Sequence, residues 1–429
     1  MIGLNTLQEA MEIELSISES MVKAQTLWAN MYVNKASWLV EDEVFSLNLP
    51  AAIAAEISRV VTVEMKVRIE GSLRADFISA QMKHVLNKLR EHVELGSAKG
   101  GLIFKPFISG KNVAVDCVQA DAFFPVKFDA NGKSDEEGNI FEGYLITNRV
   151  FRTEEEGLLG VEVSLKDVEE WADIEPFGVI ANVERPLFGY FRYPLANNID
   201  TTSPLGVSCY ARAVDLIQQA DEHWSDLMWE FDTAKRALYV DPLALAHDEN
   251  DEVYLPNKRL FQTLKGSGIE ENMFEEWTPN IREQNFLNGL DAILRKIEFL
   301  CGMDYGRISN PDTVDKTAKE ISASQQRFFS TVTDVQKSLQ EALEELVYAI
   351  DVWTTVAGLA PQGVYNTAYE FDDSIIVDKD TQFDQDSRAV GMNVMDRIEF
   401  RMRNYKEDLA TATKKIAAIP LPSTDLFGD

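Results

Sequence analysis

From Asp315 to Val356 the chain carries neither proline nor glycine. Within that stretch Phe328, Val332, Val335, Leu339, Ala342 and Leu346 recur at spacings of 4, 3, 4, 3 and 4. This repeat places apolar side chains on one stripe of an α-helix. The spacing predicts a single helix of about 40 residues, about 60 Å long. Helices of ordinary globular domains are much shorter. The seam is therefore expected to pack against another long element or another subunit.

The rest of the chain has a different texture. Ala51 to Ile69 is apolar-rich and Ser79 to Val93 repeats Met82, Val85, Leu86, Leu89 and Val93 at helical spacing, so the first hundred residues read as mostly helical. Gly96, Gly100 and Gly101 are expected to break that pattern. From Gly101 to Tyr193 short β-type runs follow: Leu102 to Phe104, Val113 to Val115, Phe123 to Phe128, Val161 to Leu165 and Leu187 to Tyr193. Gly110-Lys111 and Asn131-Gly132 punctuate them as turns. The fold class is α+β.

At Thr202-Ser203-Pro204 a helical period resumes, with Ser203 suited to an N-cap and Pro204 to the first helical position. Val207, Tyr210, Val214, Ile217, Trp224, Met228 and Phe231 predict a helix of about 30 residues. Leu238-Tyr239-Val240 then opens an acidic strand–loop–strand insert containing Asp248, Glu249, Asp251 and Glu252. A second helix is expected from about Gln284 to Leu300, and a loop with Gly302, Gly306 and Asn310-Pro311 leads into the long helix. Beyond Pro361 the pattern predicts a strand over Tyr369 to Val377 and two or three helices between Thr381 and Ala418.

Charge excludes one large class. Lys and Arg number 41 against 71 Asp and Glu, a formal net charge of −30. A surface built to grip nucleic acid through many basic contacts does not look like this, although a protein that lets DNA pass without holding it could. Cys117, Cys209 and Cys301 lie far apart, so neither a disulfide framework nor a structural zinc site is expected. The acidic N-terminus lacks a signal-peptide layout, and no apolar run approaches membrane-spanning length. A cytoplasmic origin is the expectation.

No catalytic signature emerges. Gly96 to Gly101 (GSAKGG) is the nearest match to a phosphate loop, but its lysine precedes its last glycines and it leads into a strand, so it reads as a turn. His84, His92, His223 and His247 are scattered, with His223 beside Asp221 and Glu222 on an expected solvated helix face. His92-Val93-Glu94 lacks the PCxxC partner of a deaminase site. Carboxylate pairs such as Glu344-Glu345 are expected by chance among 71 acids. No metal or cofactor is expected. Trp224, Trp229, Phe231, Phe328 and Phe329 fall on helix faces and read as core or subunit contacts. The Met303 to Thr313 loop with its flank is nearly balanced in charge, with Arg307, Lys316 and Lys319 against four acids. Together with Asn310 it reads as a helix–helix connector or as a contact for a phosphate backbone.

Several segments, in their order, resemble the portal proteins of tailed bacteriophages, in particular those of siphophages and prophages of Gram-positive bacteria. They are Asn34 to Leu39 (NKASWL), the Ala51 to Met65 helix, Gly96 to Phe107 (GSAKGGLIFKPF) and Val118 to Val126 (VQADAFFPV) before the Asp129 to Gly132 turn. The longest is Pro186 to Ser208 (PLFGYFRYPLANNIDTTSPLGVS), leading into the helix with Asp215 and Trp224. The resemblance implies a portal fold: an α/β wing at 1–204, a first stem helix at 205–237, a β-containing clip at 238–283 and a second stem helix at 284–302. A tunnel loop at 303–314 and a long wing helix at 315–357 follow. The last segment, 358–429, would supply a return strand and a short helical crown.

It also implies a role. Twelve copies would form a ring at one capsid vertex, and double-stranded viral DNA would enter and leave through its channel. The ring would catalyse nothing itself. It would dock the terminase large subunit and later a head-completion adaptor, and would meet the major capsid protein and scaffold. It would reside in the virion, after assembly in the host cytoplasm, without a membrane. The resemblance points to Arg307, Asn310 and Lys316 at the DNA, Asp226 and Glu230 on an acidic channel lining, and Asp248, Glu249, Asp251 and Glu252 at the motor or adaptor. The alternatives are another phage head or neck component or an acidic coiled-coil scaffold, and, from a different class, an enzyme acting on a cationic or metal-bound substrate.

Overall fold

A computed structural model describes residues 17–63, 65–128, 141–146, 150–152, 161–163, 185–234, 237–240, 261–263, 274–277, 280–311, 318–371, 379–405 and 407–418. The chain divides into two units, residues 1–63 with 67–369, and residues 64–66 with 370–429.

The larger unit opens with α1 (Glu19–Tyr32), capped by Ser18, whose hydroxyl accepts the Met21 N–H at 3.3 Å. Next come α2 (Leu49–Thr62) and β1 (Lys66–Glu70). The expected helix to Ile69 therefore ends early. Val60, Val61, Thr62 and Val63 are β-branched and lower helix propensity. Lys66 to Glu70 alternates polar and apolar residues, burying Ile69. The Ser79 to Val93 period is shared by two helices, α3 (Leu73–Asn87) and α4 (Leu89–Lys99), which part at Lys88. Gly96 does not break α4. A Cβ there would strike the Phe191 ring, so this glycine admits a close packing partner. Gly100, at φ +88°, is the residue that ends the helix.

The sheet follows at once. β2 (Gly101–Ser109) and β3 (Asn112–Gln119) form an antiparallel hairpin, and β8 (Gly189–Arg192) pairs with the other side of β2, giving the order β3-β2-β8. Between them, β4 (Phe123–Phe128) pairs with β5 (Phe141–Ile146), and β6 (Val150–Arg152) with β7 (Val161–Val163). The Asn131-Gly132 turn lies outside the described residues.

Pro204 does not start a helix. α5 (Val214–Thr233) is 20 residues long, and the preceding ten residues run as irregular chain. Leu205, Val207, Cys209 and Tyr210 are buried there. Tyr210 donates to the Trp28 carbonyl at 2.9 Å, and the Cys209 N–H to the Ser97 carbonyl at 2.9 Å. A Cβ on Gly206 would collide with the Gly100 carbonyl, so two backbones meet where the apolar period suggested a helix. Tertiary packing overrides a local preference worth only tenths of a kcal/mol per residue, roughly 0–0.7.

β9 (Ala237–Val240), β10 (Phe261–Thr263) and β11 (Phe274–Trp277) form a small sheet with β9 in the centre. α6 (Glu283–Leu300) follows, then α7 (Ala318–Val356), which is 39 residues long. β12 (Asn366–Glu370) pairs with β1. Part of the strand expected at Tyr369 to Val377 thus lies earlier, and residues 372–378 are outside the described set.

The seam of α7 is occupied within the chain. Phe328, Val332, Val335, Leu339, Ala342 and Leu346 are each at most 1% exposed. They face β2, β8, α2 and α3, so the long helix needs neither another long helix nor another subunit to cover that stripe. A Cβ on Gly189 would strike the Ala342 carbonyl, which shows how closely helix and strand approach. Each large apolar side chain buried this way contributes about 1.5–3 kcal/mol.

The smaller unit carries α8 (Lys379–Gly391), α9 (Arg397–Tyr405) and α10 (Leu409–Ala417), three helices where two or three were expected.

Candidate functional site

α5 and α6 pack side by side, with the β9–β11 sheet spliced between them in sequence and the 301–311 loop leading away. The pair is joined at two points. His223 Nε2 donates to the Phe286 carbonyl at 2.8 Å; a carbonyl can only accept, so Nε2 carries the proton. A Cβ on Gly289 would sit 2.9 Å from that nitrogen, so Gly289 makes room for the ring. His223 is thus part of the helix–helix contact, not of a solvated face. Near the other end Arg282 meets both Glu230 carboxylate oxygens, Nε at 3.0 Å and Nη2 at 2.8 Å. Such a two-pronged pair is strong and directional. It holds the Glu230 carboxyl below its ordinary range. Glu230 is only 8% exposed, whereas Asp226 is open to solvent. Asp215, Glu222 and Asp226 all lie exposed on α5 at helical spacing, forming an acidic stripe.

α5 is also tied to the N-terminal segment. Asp221, 2% exposed, accepts the Trp38 indole N–H at 3.0 Å and the Leu47 N–H at 2.8 Å. Ser225 accepts the Phe45 N–H at 2.8 Å. Burial pushes the Asp221 carboxyl up, opposed by these donors.

The 301–311 loop is organised around one buried acid. Glu298, fully buried on the last turn of α6, accepts the N–H of Gly306 at 3.1 Å, of Ile308 at 2.7 Å and of Ser309 at 2.9 Å, and the Ser309 hydroxyl at 2.7 Å. Gly306, at φ +89°, supplies the turn this wrapping requires. Asp291 accepts the Asn310 N–H at 2.8 Å, and Thr331 on α7 donates to the Gly302 carbonyl at 3.1 Å.

Arg307 is engaged within the chain. It is paired with Asp304 and with Glu56 on α2, and lies 4.1 Å from the centre of the Phe328 ring. Asn310 is exposed at the loop's end. The Arg327 guanidinium stands 4.8 Å from the centre of the Phe299 ring and 5.2 Å from that of Tyr305. Lys316, Asp248, Glu249, Asp251 and Glu252 lie outside the described residues. Of the aromatics, Phe328 is core, Trp224 and Phe329 are half-buried, and Trp229 and Phe231 are 65% and 37% exposed.

Sequence reasoning missed Glu298, Glu56 and Arg327. Only Glu298 left a signal: a single acid among Ile297, Phe299, Leu300 and Cys301, just before a glycine-containing loop. Among the described residues there is no group of three or more His, Cys, Asp or Glu placed to hold a metal, and no helix is long and apolar enough to cross a membrane.

No family model matches the chain, and no curated protein matches it. Among solved structures, a chain from the neck of a native GTA particle, computed with C12 symmetry, is similar at 10% identity and a TM-score of 0.48, covering 92% of this chain and 96% of that one. A chain from the neck of an empty GTA particle, computed with C6 symmetry, is similar at 11% identity and a TM-score of 0.44, over 81% of this chain and 88% of that one.

Proposed function

We propose that this chain is a portal-type subunit of a tailed-phage particle, acting as a ring of twelve copies at one capsid vertex. The observation that carries the reading is the succession α5, spliced sheet, α6, locked loop and α7. Two packed helices present a small sheet at one end, and the chain then turns through a fixed loop into a 39-residue helix. That is the stem, clip, tunnel loop and wing succession of the portal family, which the sequence also resembles over several segments.

In this role the protein performs no chemistry. The clip docks the terminase large subunit during packaging and a head-completion adaptor afterwards, while the wing meets the capsid protein and scaffold. The particle resides in the virion. Duplex DNA enters and leaves through the axial channel without sequence recognition. A wall of Lys and Arg would hold the duplex by counterion release. A chain of net charge −30 with an acidic stripe on α5 favours sliding instead.

The test is the mass and symmetry of the purified full-length chain, by native mass spectrometry and top-view electron microscopy. A closed ring of twelve 48.3-kDa chains weighs about 580 kDa and has an open centre. A filament or compact particle without a channel overturns the reading.

A further inference from the structure

In the C-terminal unit the usual distribution of polar and apolar side chains is reversed. Among its described residues the buried side chains are Asp386 and Ala412, at 6% and 0% exposure. Asp386 accepts the Asn404 amide at 2.9 Å and pairs with Arg403 at 3.5 Å. Glu407 takes both prongs of Arg401, at 2.9 and 3.0 Å, and also Lys415. Apart from a loose trio of Phe383, Phe400 and Tyr405, with ring centres 5.3 to 6.5 Å apart, polar contacts hold α8, α9 and α10 together. The apolar residues point outwards: Met392 is 69% exposed, Val394 80%, Met402 39%, Tyr405 54% and Leu409 61%.

Helices of 9 residues, as α9 and α10 are, are not stable in water without an apolar face packed on something. The unit does not supply that packing itself. Its charge says what does. Residues 379–418 hold eight Lys and Arg against seven Asp and Glu, net +1, so the rest of the chain carries −31. Two copies repel each other over most of their surfaces, but not here, where an apolar and nearly neutral surface allows like to meet like. A strongly basic or acidic partner has no counter-charge to recognise on it.

We infer that the C-terminal three-helix unit is a self-association surface, completed by the same unit of a neighbouring copy and gaining its stability on assembly. This deepens the ring reading, by naming a surface through which copies meet, but it requires no particular copy number.

The test uses the full-length chain. The double variant Val394→Asp with Leu409→Asp alters side chains that are already exposed, so the single chain keeps its fold. The paired control, Val394→Met with Leu409→Met, keeps the surface apolar. Light scattering and native mass spectrometry against concentration should show the aspartate variant assembling at concentrations at least tenfold higher than wild type, and the methionine variant within about twofold. Hydrogen exchange of the wild type should slow at least tenfold in α9 and α10 on assembly. Unchanged assembly of the aspartate variant overturns the inference, as does equal exchange in assembled and dissociated wild type. A wild-type oligomer of another copy number, showing both effects, removes the twelve-fold ring and leaves this inference standing. A twelve-fold ring showing neither does the reverse.

Discussion

Glu345 on α7 accepts the backbone N–H of Tyr190 at 3.1 Å, closing part of the edge that β8 leaves unpaired. Ser338, two turns earlier on the same helix, donates to the Arg192 carbonyl. The long helix thus covers the outer strand's hydrogen-bonding groups as well as its face, one way a sheet avoids pairing with other chains.

This location makes Glu345 a pH-sensitive element. Burial pushes its carboxyl up from the ordinary 4.5 to about 7, opposed by the Tyr190 N–H and Arg185 and reinforced by Glu341 and Glu344. The native state therefore binds this proton more tightly than the unfolded chain does. Its contribution to stability is complete below about pH 4.5 and is lost as pH rises through about 7. Glu345→Gln keeps an acceptor for Tyr190 and removes the titration. Urea unfolding between pH 5 and 8 should show the variant gaining roughly 2 kcal/mol over wild type at the upper end. Equal slopes for the two proteins would exclude this role.

Gly189 lies against the same helix. Its replacement by alanine puts a methyl group into the Ala342 carbonyl, a backbone atom that cannot step aside. Helix and strand must separate, and overpacking of this kind costs about 1–3 kcal/mol. Thermal unfolding of Gly189→Ala should show that loss. A wild-type midpoint would mean that α7 does not lie as close as described.

Much of this architecture was legible, for stated reasons. The 4,3,4,3,4 repeat located α7 to within three residues at its start, because a long stripe with no proline or glycine has one solution. The strand pairs were legible from alternation and turns, and the α5–sheet–α6 order from a change of period. What failed was long-range. Residues 204–213 carry a helical period but are held extended by Gly100, Ser97 and Trp28, which are distant in sequence. The partner of the α7 seam could not be read because a periodic stripe does not say what covers it. At the site, Arg307 was legible as a basic residue on a loop, but its engagement by Glu56, 251 positions earlier, was not.

Glu298 gives the loop its shape. Glu298→Ala strands the N–H groups of Gly306, Ile308 and Ser309, each of which loses its acceptor. A buried donor left unpaired costs about 1–3 kcal/mol. Amide exchange at these three residues should accelerate by about 10² or more, while α5 and the centre of α7 keep their protection. Unaltered exchange at all three would show that the loop is held by Asp291, Thr331 and Arg307 without the central carboxylate.

Asp226 offers the cleanest test of the acidic channel wall. It is exposed on α5, unlike Glu230, whose replacement would also release Arg282 from the helix pair. In Asp226→Lys each subunit gains two units of positive charge, and a ring presents that change once per copy. If α5 faces the duplex, each new lysine adds a phosphate contact that must break for DNA to advance. Packaging, measured as DNA length protected from nuclease against time, should slow several-fold. The defect should ease as salt is raised, because exposed charges are screened over about 8 Å at physiological ionic strength. Asp226→Asn removes one charge without adding a grip and should package at nearly the wild-type rate. Normal packaging by Asp226→Lys rings at low salt would place the acidic stripe away from the DNA and remove the sliding argument, whatever the copy number of the ring.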